Sequence, residues 1–457
     1  MKRGIKTALC TILVLVVLGA IAIGVPQFCL GYDLFDRSGW STEEDGTLRY
    51  LTREGDPLLG WQEIDGTPYY FSPEHDGALA TGWLDTADGR YYLGADGVRA
   101  IGWTEVNGCL YYFGENGIMS TGWLELSDGR YYLDEQGAAV TGWLNEGGNR
   151  YYLDENSRVS IGWTEIDESR YYFAEDGTVV TGWMDAEEGR YYLSETGAMT
   201  IGWLELDGSL YYLDESGLLY IGWLELGNRQ YYLTESGPAQ TGWMETEDGL
   251  YYFREDGRMA IGKVEIDGTA RYFTSTGKHF VLVNLWNPVP EDYEMDLVEI
   301  DGFRVAAVCR DALEEMITDC NAAGHSCKIS SAYRSYDRQV FLFERKVTKL
   351  MGQGYSREAA EKETALSIAV PGTSEHHLGL AVDMKSSSDT YAWLAEHSWE
   401  YGFILRYPYG KTDLTGIYYE PWHFRYVGDE LAKELYDLGL CVEEYMNMLT
   451  ELAQSET

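Results

Sequence analysis

Three short stretches near the C-terminal end carry residues able to do chemistry together. The first is Pro371-Gly372-Thr373-Ser374-Glu375-His376-His377-Leu378-Gly379-Leu380-Ala381-Val382-Asp383. It holds two adjacent histidines and an aspartate in a chain with seven histidines in all. The second, Glu420-Pro421-Trp422-His423, sets a carboxylate three residues before a histidine. The third, Ser331-Ala332-Tyr333-Arg334-Ser335, adds a cation. Two imidazoles and one carboxylate are donors that a catalytic zinc takes while keeping a position open for water. A second carboxylate beside such a centre suits a general base. Helical zinc motifs place that glutamate between two histidines one turn apart, whereas Pro421 here points to a strand or turn.

Which of the paired histidines serves depends on backbone geometry. Alternate residues of a straight strand share a face, so His377 would join Asp383. A bend at Gly379 would break that parity and bring His376 round instead. Spacing leaves both open.

The elements that position these residues are of mixed type. Apolar spacing predicts helices over 310–323, 337–351, 357–369 and 391–401, and strands over 328–333, 378–384 and 422–426. Val283 to Glu294 holds two prolines and reads as a linker or a lead-in loop. Before it the sequence obeys a different rule. Trp83, Trp103, Trp123, Trp143, Trp163, Trp183, Trp203, Trp223 and Trp243 recur every 20 residues, each after a glycine. Looser copies stand at Trp40 and Trp61, and Lys263 takes the tryptophan position in the last copy. A tyrosine pair follows each regular tryptophan, as in Gly202-Trp203-Leu204-Glu205-Leu206-Asp207-Gly208-Ser209-Leu210-Tyr211-Tyr212-Leu213. Asp-Gly between two short apolar runs predicts a tight hairpin. One such hairpin is too small to be stable alone, but stacked copies form a solenoid. The two tyrosines of a pair face opposite sides: one packs inside the stack and the other lines a groove between neighbouring hairpins.

The fold expected is therefore multi-domain: a β-hairpin solenoid followed by an α+β domain. The boundaries expected are a signal peptide or membrane anchor over 1–31, repeats over 32–282 and the catalytic region over 283–457. The net charge of −41 excludes nucleic acid as a partner, because a phosphate backbone needs cations to neutralise it. All the charge before Tyr32 is positive, from Lys2, Arg3 and Lys6, and an uncharged apolar run follows from Thr7 to Val25. This is the pattern of an export signal or, uncleaved, of an N-terminal membrane anchor. Ala20-Ile21-Ala22 offers a cleavage site. An extracytoplasmic location at the cell surface follows, and one disulfide among Cys309, Cys320, Cys327 and Cys441 is possible there.

The array resembles the choline-binding and related cell-wall-binding repeats of bacterial surface proteins and clostridial toxins. That resemblance implies a wall polymer or glycan as partner, with choline in an aromatic cage as one version. Choline-binding repeats commonly read Trp-Tyr-Tyr. Here the first of the three is Arg90, Leu110, Arg130, Arg150, Arg170, Arg190, Leu210, Gln230 or Leu250. An arginine there would repel choline. The stretches containing Arg334, His376, Leu405 and His423 resemble zinc D-alanyl-D-alanine carboxypeptidases of the VanY type. Their Ser-x-His-x-x-Gly-x-Ala-x-Asp pattern falls on Ser374, His376, Gly379, Ala381 and Asp383. The resemblance implies Zn2+ held by His376, Asp383 and His423, with Glu420 as catalytic base. It also implies Arg334, Ser374 and Gln339 at the substrate, with Arg338 able to stand in for Arg334. The substrate implied is a peptidoglycan stem peptide ending in D-alanine. An L,D-carboxypeptidase acting on tetrapeptide stems and an adhesin binding glycan or choline are the alternatives.

Overall fold

The computed structural model describes residues 36–455. The expected export signal or anchor lies outside the described residues, and no described helix is long and apolar enough to cross a membrane. The chain divides into two compact units. One runs to Thr181 and takes in Glu195–Ala198, and the other holds Gly182–Ser194 and everything from Met199.

The first unit is a succession of antiparallel hairpins. In one of them Gly122–Leu126 pairs with Gly129–Leu133, setting Trp123 opposite Tyr132 and Leu124 opposite Tyr131. In the preceding hairpin Val106 faces Cys109 across a two-residue turn, and Asn107 and Gly108 both take positive φ (55° and 82°), the pairing that this kind of turn requires. Strand parity then separates the tyrosines as expected. Tyr131 and Leu133 are buried, while Tyr132 packs edge-on against Trp123 at 5.0 Å. The inward tyrosine meets the tryptophan of the preceding hairpin, with Trp103 and Tyr131 at 4.9 Å. Trp103, Trp123 and Trp143 are each gripped by the outer tyrosine of their own hairpin and the inner tyrosine of the next, whereas Trp243, followed by Arg271, meets Phe273 and His279 instead.

The second unit begins with further hairpins of this kind and ends in the mixed α/β region. The last of them, Gly262–Ile266 with Thr269–Phe273, gains a third strand, His279–Phe280. The mixed region opens with the hairpin β1 (Leu297–Ile300) and β2 (Phe303–Ala306). It continues through α1 (Arg310–Ala322), β3 (Lys328–Ser331), α2 (Tyr336–Met351), α3 (Arg357–Ala365) and β4 (Ala381–Lys385). Then come α4 (Ser388–His397), β5 (Phe403–Leu405), α5 (Thr412–Thr415), β6 (His423–Tyr426), α6 (Asp429–Leu438) and α7 (Val442–Ser455). The expected third helix ends four residues early, at Ala365, because the chain turns away at Thr364-Leu366.

One antiparallel sheet organises this region, in the order β3–β4–β6–β5. Period-2 alternation gives it two faces. Val382, Met384 and Phe424 point into a fully buried apolar core shared with Leu313 and Met316 of α1. Asp383 lies directly opposite His423 and Ala381 opposite Arg425, so the other face carries the polar groups.

Val283–Glu294 proves to be a packed loop. Val283 and Asn284 are buried, Asn284 donates to Glu443 at 2.9 Å, and Val289 N–H donates to the Gly372 carbonyl at 2.8 Å. The last hairpin docks on the C-terminal helices. Lys263 N–H donates to Thr450 Oγ1 at 2.8 Å, Ser275 Oγ to Glu434 at 2.8 Å, and Lys278 pairs with Glu430 at 3.0 Å. Gly262 makes this approach possible: a Cβ there would sit 2.5 Å from Thr450 N, at a φ of +67° besides. The possible disulfide is not formed. Cys309, Cys320, Cys327 and Cys441 are buried free thiols, and Cys441 lies outside the apolar cluster that holds the other three.

Candidate metal centre

The paired histidines do not lie on a strand. Glu375–Leu378 forms a turn of 3₁₀ helix closed by Gly379 at a φ of +67°. In such a turn successive side chains point about 120° apart rather than alternating. The bend expected at Gly379 is therefore present and sharper than a bulge. Space as well as φ demands glycine, since a Cβ would meet Leu297 at 2.7 Å and Ala306 N at 2.9 Å.

The two imidazoles separate accordingly. His376 Nδ1 bonds the Ala332 carbonyl at 2.8 Å, which makes Nδ1 the donor and leaves the Nε2 lone pair facing Asp383 Oδ2 at 3.2 Å. His377 bonds the Arg334 carbonyl through Nδ1 at 2.8 Å and receives Gly372 N–H on Nε2 at 3.3 Å. Its ring stacks on Tyr336 at 5.9 Å. Both of its nitrogens serve the loop.

Asp383 reaches the site because β4 pairs with β6. His423 Nδ1 lies 3.1 Å from Asp383 Oδ1, and the His376 and His423 rings meet edge-on at 4.9 Å. One donor atom from each of His376, Asp383 and His423 falls within 4.8 Å of the others. Two donors each about 2.1 Å from a tetrahedral zinc stand roughly 3.4 Å apart, and each histidine meets one Asp383 oxygen at nearly that spacing, His376 with Oδ2 at 3.2 Å and His423 with Oδ1 at 3.1 Å. Asp383 Oδ1 is buried without a hydrogen-bond donor, as an oxygen awaiting a cation would be. The donor set and its spacing fit zinc.

Glu420 sits on the turn before β6, with Oε2 3.6 Å from His423 Nδ1. Burial pushes its carboxyl up to about 7, countered by His423 and Arg334 and reinforced by Asp383. Burial also opposes the charge on Asp383, yet the two imidazoles hold its carboxyl well below the usual range. His423 moves the other way. Burial works against its cation, but the carboxylates of Asp383 and Glu375 on either side of the ring keep it at about 9.

Arg334 follows β3 and leans over the site. Its guanidinium donates to Gln339 at 2.8 Å and to Ser331 Oγ at 3.0 Å, and lies 3.6 Å from Asp383. Ser374, His376, Asp383, Glu420 and His423 line one cavity of about 250 Å³ with Arg334. Gln339 is fully buried behind Arg334, its amide nitrogen donating to the Ala369 carbonyl at 2.5 Å. Arg338 stacks on Phe341 at 5.1 Å.

Sequence reasoning passed over several members of the site. Tyr407 lines the cavity with its ring 4.8 Å from His423, and burial pushes its phenol well up, so it stays a donor. Behind His423 lies Glu375, bonded to Arg406 at 2.8 Å and 3.2 Å from Arg425. Arg406 in turn holds Glu443 of α7 with two bonds of 2.6 and 2.9 Å. The signal for Arg425 was present: His423-x-Arg425 on one strand puts both on one face.

A family model described as D-alanyl-D-alanine carboxypeptidase, VanY, matches residues 302–429. Models of choline-binding and putative cell-wall-binding repeats match segments between residues 100 and 219. A D-alanyl-D-alanine carboxypeptidase of Enterococcus faecalis is 40% identical over 174 residues, covering 36% of this chain and 65% of the relative. A putative carboxypeptidase of Bacillus subtilis, YodJ, is 35% identical over 194 residues, covering 37% of this chain and 68% of the relative. The chain belongs to the VanY carboxypeptidase family. A crystal structure of a vancomycin-resistance D,D-pentapeptidase VanY in complex with Zn(II) is 39% identical, covering 36% of this chain and 97% of that one at a TM-score of 0.35. This VanY-family chain thus spans about two thirds of the length of the first curated relatives it matches, and it carries the hairpin array in addition.

Proposed function

We propose that this protein is a zinc D,D-carboxypeptidase that removes the terminal D-alanine from peptidoglycan stem peptides. His376, Asp383 and His423 are its metal ligands and Glu420 its general base. The observation that carries the reading is the convergence of those three donors with the Glu420 carboxyl, 3.6 Å from His423 in the same cavity. Zinc, when bound, supplies a Lewis acid that polarises the scissile carbonyl and makes water nucleophilic near neutral pH. Glu420 Oε2 takes the proton of the attacking water and returns it to the leaving amine of D-alanine. Arg334, pinned by Ser331 and Gln339, offers its remaining N–H groups to the substrate's carbonyl oxygen or terminal carboxylate, for which a forked donor is suited. Ser374 lines the same cavity as a further polar contact, and Gln339 acts on substrate through Arg334.

Residues 32–282 serve as the wall-binding part and 283–457 as the catalytic part of a cell-surface enzyme, with the N-terminal segment directing export. The tether raises local substrate concentration. In five hairpins a guanidinium already covers the tryptophan, from 3.6 Å for Arg150 on Trp143 to 4.8 Å for Arg190 on Trp183. Those hairpins favour a neutral glycan over a quaternary ammonium.

The deciding experiment measures alanine release from D-Ala-D-Ala-ended and tetrapeptide muropeptides, with and without chelator. Release from the first, abolished by chelation and restored by zinc, is expected. Glu420→Gln should lower kcat about 10³-fold while zinc still binds. Undiminished activity in that variant sinks the mechanism, and release from the tetrapeptide alone transfers the enzyme to the L,D class.

A further inference from the structure

Glu375 is the residue between Ser374 and His376, and nothing in the reaction just described employs it. It is fully buried, with two guanidiniums on one of its oxygens. Arg406 Nε at 2.8 Å and Arg425 Nη1 at 3.2 Å both address Oε1. Arg406 is also held by Glu443, so the two arginines and two glutamates balance in charge. Oε2 is left over. It is buried, has no hydrogen-bond donor, and points at His423 Nε2 from 3.8 Å. His423 Nε2 is itself buried without a partner. Two orphaned polar atoms of complementary character thus face each other across a gap about 1 Å longer than a charge-assisted hydrogen bond.

The other edge of the His423 ring faces the metal site, with Nδ1 3.1 Å from Asp383 and 3.6 Å from Glu420. A neutral imidazole can offer Nδ1 to a metal only if its proton is on Nε2. A buried Nε2–H in turn needs an acceptor, and the one that the structure provides is Glu375 Oε2. His376 obeys the same logic with its nitrogens exchanged: Nδ1 serves the Ala332 carbonyl and Nε2 faces the site.

Resting on the metal reading above, we infer that Glu375 is the positioning residue for His423: its Oε2 accepts the Nε2 proton and so presents Nδ1 to the metal. Arg406 and Arg425 fix the carboxylate from behind, and Glu443 fixes Arg406. The site's orientation is thereby anchored in α7, far along the chain from either histidine. Outer partners of this sort typically govern metal affinity by 10–100-fold.

The test uses the full chain, zinc and two readouts. Zinc affinity is measured by competition with a chromophoric chelator in wild type, Glu375→Gln and Glu375→Asp. Weakening by 10–100-fold in Glu375→Gln, with partial recovery in Glu375→Asp, is expected. Because Glu375→Gln disturbs two buried arginines and can fail to fold, the second readout needs no variant. Nitrogen NMR of the zinc-loaded wild type, labelled at its histidine imidazoles, should show His423 protonated at Nε2 and metal-shifted at Nδ1. The opposite assignment, or a folded Glu375→Gln whose zinc affinity stays within twofold of wild type, overturns the inference while leaving the metal site standing. A wild type that takes up no zinc removes the metal reading and this inference with it.

Discussion

Arginine does opposite work in the two parts of this chain. In the hairpins Arg130 lies on the outer face of Trp123 at 3.8 Å, pairs with the exposed Glu125 at 2.9 Å, and reaches the Asp176 carbonyl at 2.9 Å. Its partners lie in its own hairpin or 46 residues along the array, and the charge is partly exposed to water. In the catalytic region Arg406 and Arg425 are fully buried and are neutralised by Glu375 and Glu443. A surface cation on an aromatic ring contributes about 0.5–1 kcal/mol, whereas removing one member of a buried ion cluster leaves an uncompensated charge. The repeats therefore tolerate loss of one arginine, and the catalytic region does not.

The sharpest way to break that contrast is Arg406→Ala. It should destabilise the second unit by about 3–5 kcal/mol in urea unfolding, because Glu375 and Glu443 are left facing each other's field. A loss below 1 kcal/mol would mean that water reaches the cluster. A smaller effect comes from pH in the chelator-treated protein. His423 holds its proton to about 9 in the folded state against 6.5 ordinarily. Its contribution is complete below 6.5 and is lost as pH rises through 9, since the folded state then binds the extra proton that unfolding releases. The thermal midpoint of the metal-free chain should fall between pH 7 and 9, and zinc should restore it increasingly over the same range. A midpoint flat across that window would count against the His423 pairings. The smallest effect is expected from Arg150→Ala in the array: about 1 kcal/mol from one stacked guanidinium and its bond to the Thr196 carbonyl. That variant also bares Trp143. If the guanidinium is what turns quaternary ammonium away, choline should quench tryptophan fluorescence more in Arg150→Ala than in wild type.

The array was legible because its information is local. A 20-residue period, a two-residue turn and a Tyr-Tyr pair each act within one hairpin, and strand parity correctly placed one tyrosine inside and one outside. In the catalytic region α1 to α4 and strands β3, β4 and β6 were readable within a few residues at their ends, whereas β1, β2, β5 and the helices α5, α6 and α7 were not. Around the site, legibility depended on distance. The parity of a straight strand pointed at His377. Only the 3₁₀ turn, which Gly379 permits, brings His376 to Asp383. The Glu375–Arg406–Glu443 chain joins residues 31 and 37 apart, and no periodicity announces such a cluster. Gln339 shows the same limit. Its position near Arg334 was readable, but that both ends of its amide are already engaged is a fact of packing. The stretch with two prolines after the repeats read as a linker or lead-in loop; it is a loop braced at its start by a strut, the buried Asn284 donating to Glu443.

That strut and α7 have a mechanical meaning. An enzyme gripping a growing wall through its repeats while its active site works elsewhere on the mesh would be pulled between the two. Within the second unit, load leaving the last hairpin enters α7 through Thr450 and Tyr445, and the same helix carries Glu443, the partner of Arg406. Tension on the anchor would therefore bear on the helix that braces the metal ligands. On the proposed function, α7 would couple the grip of the repeats to the bracing of the metal site.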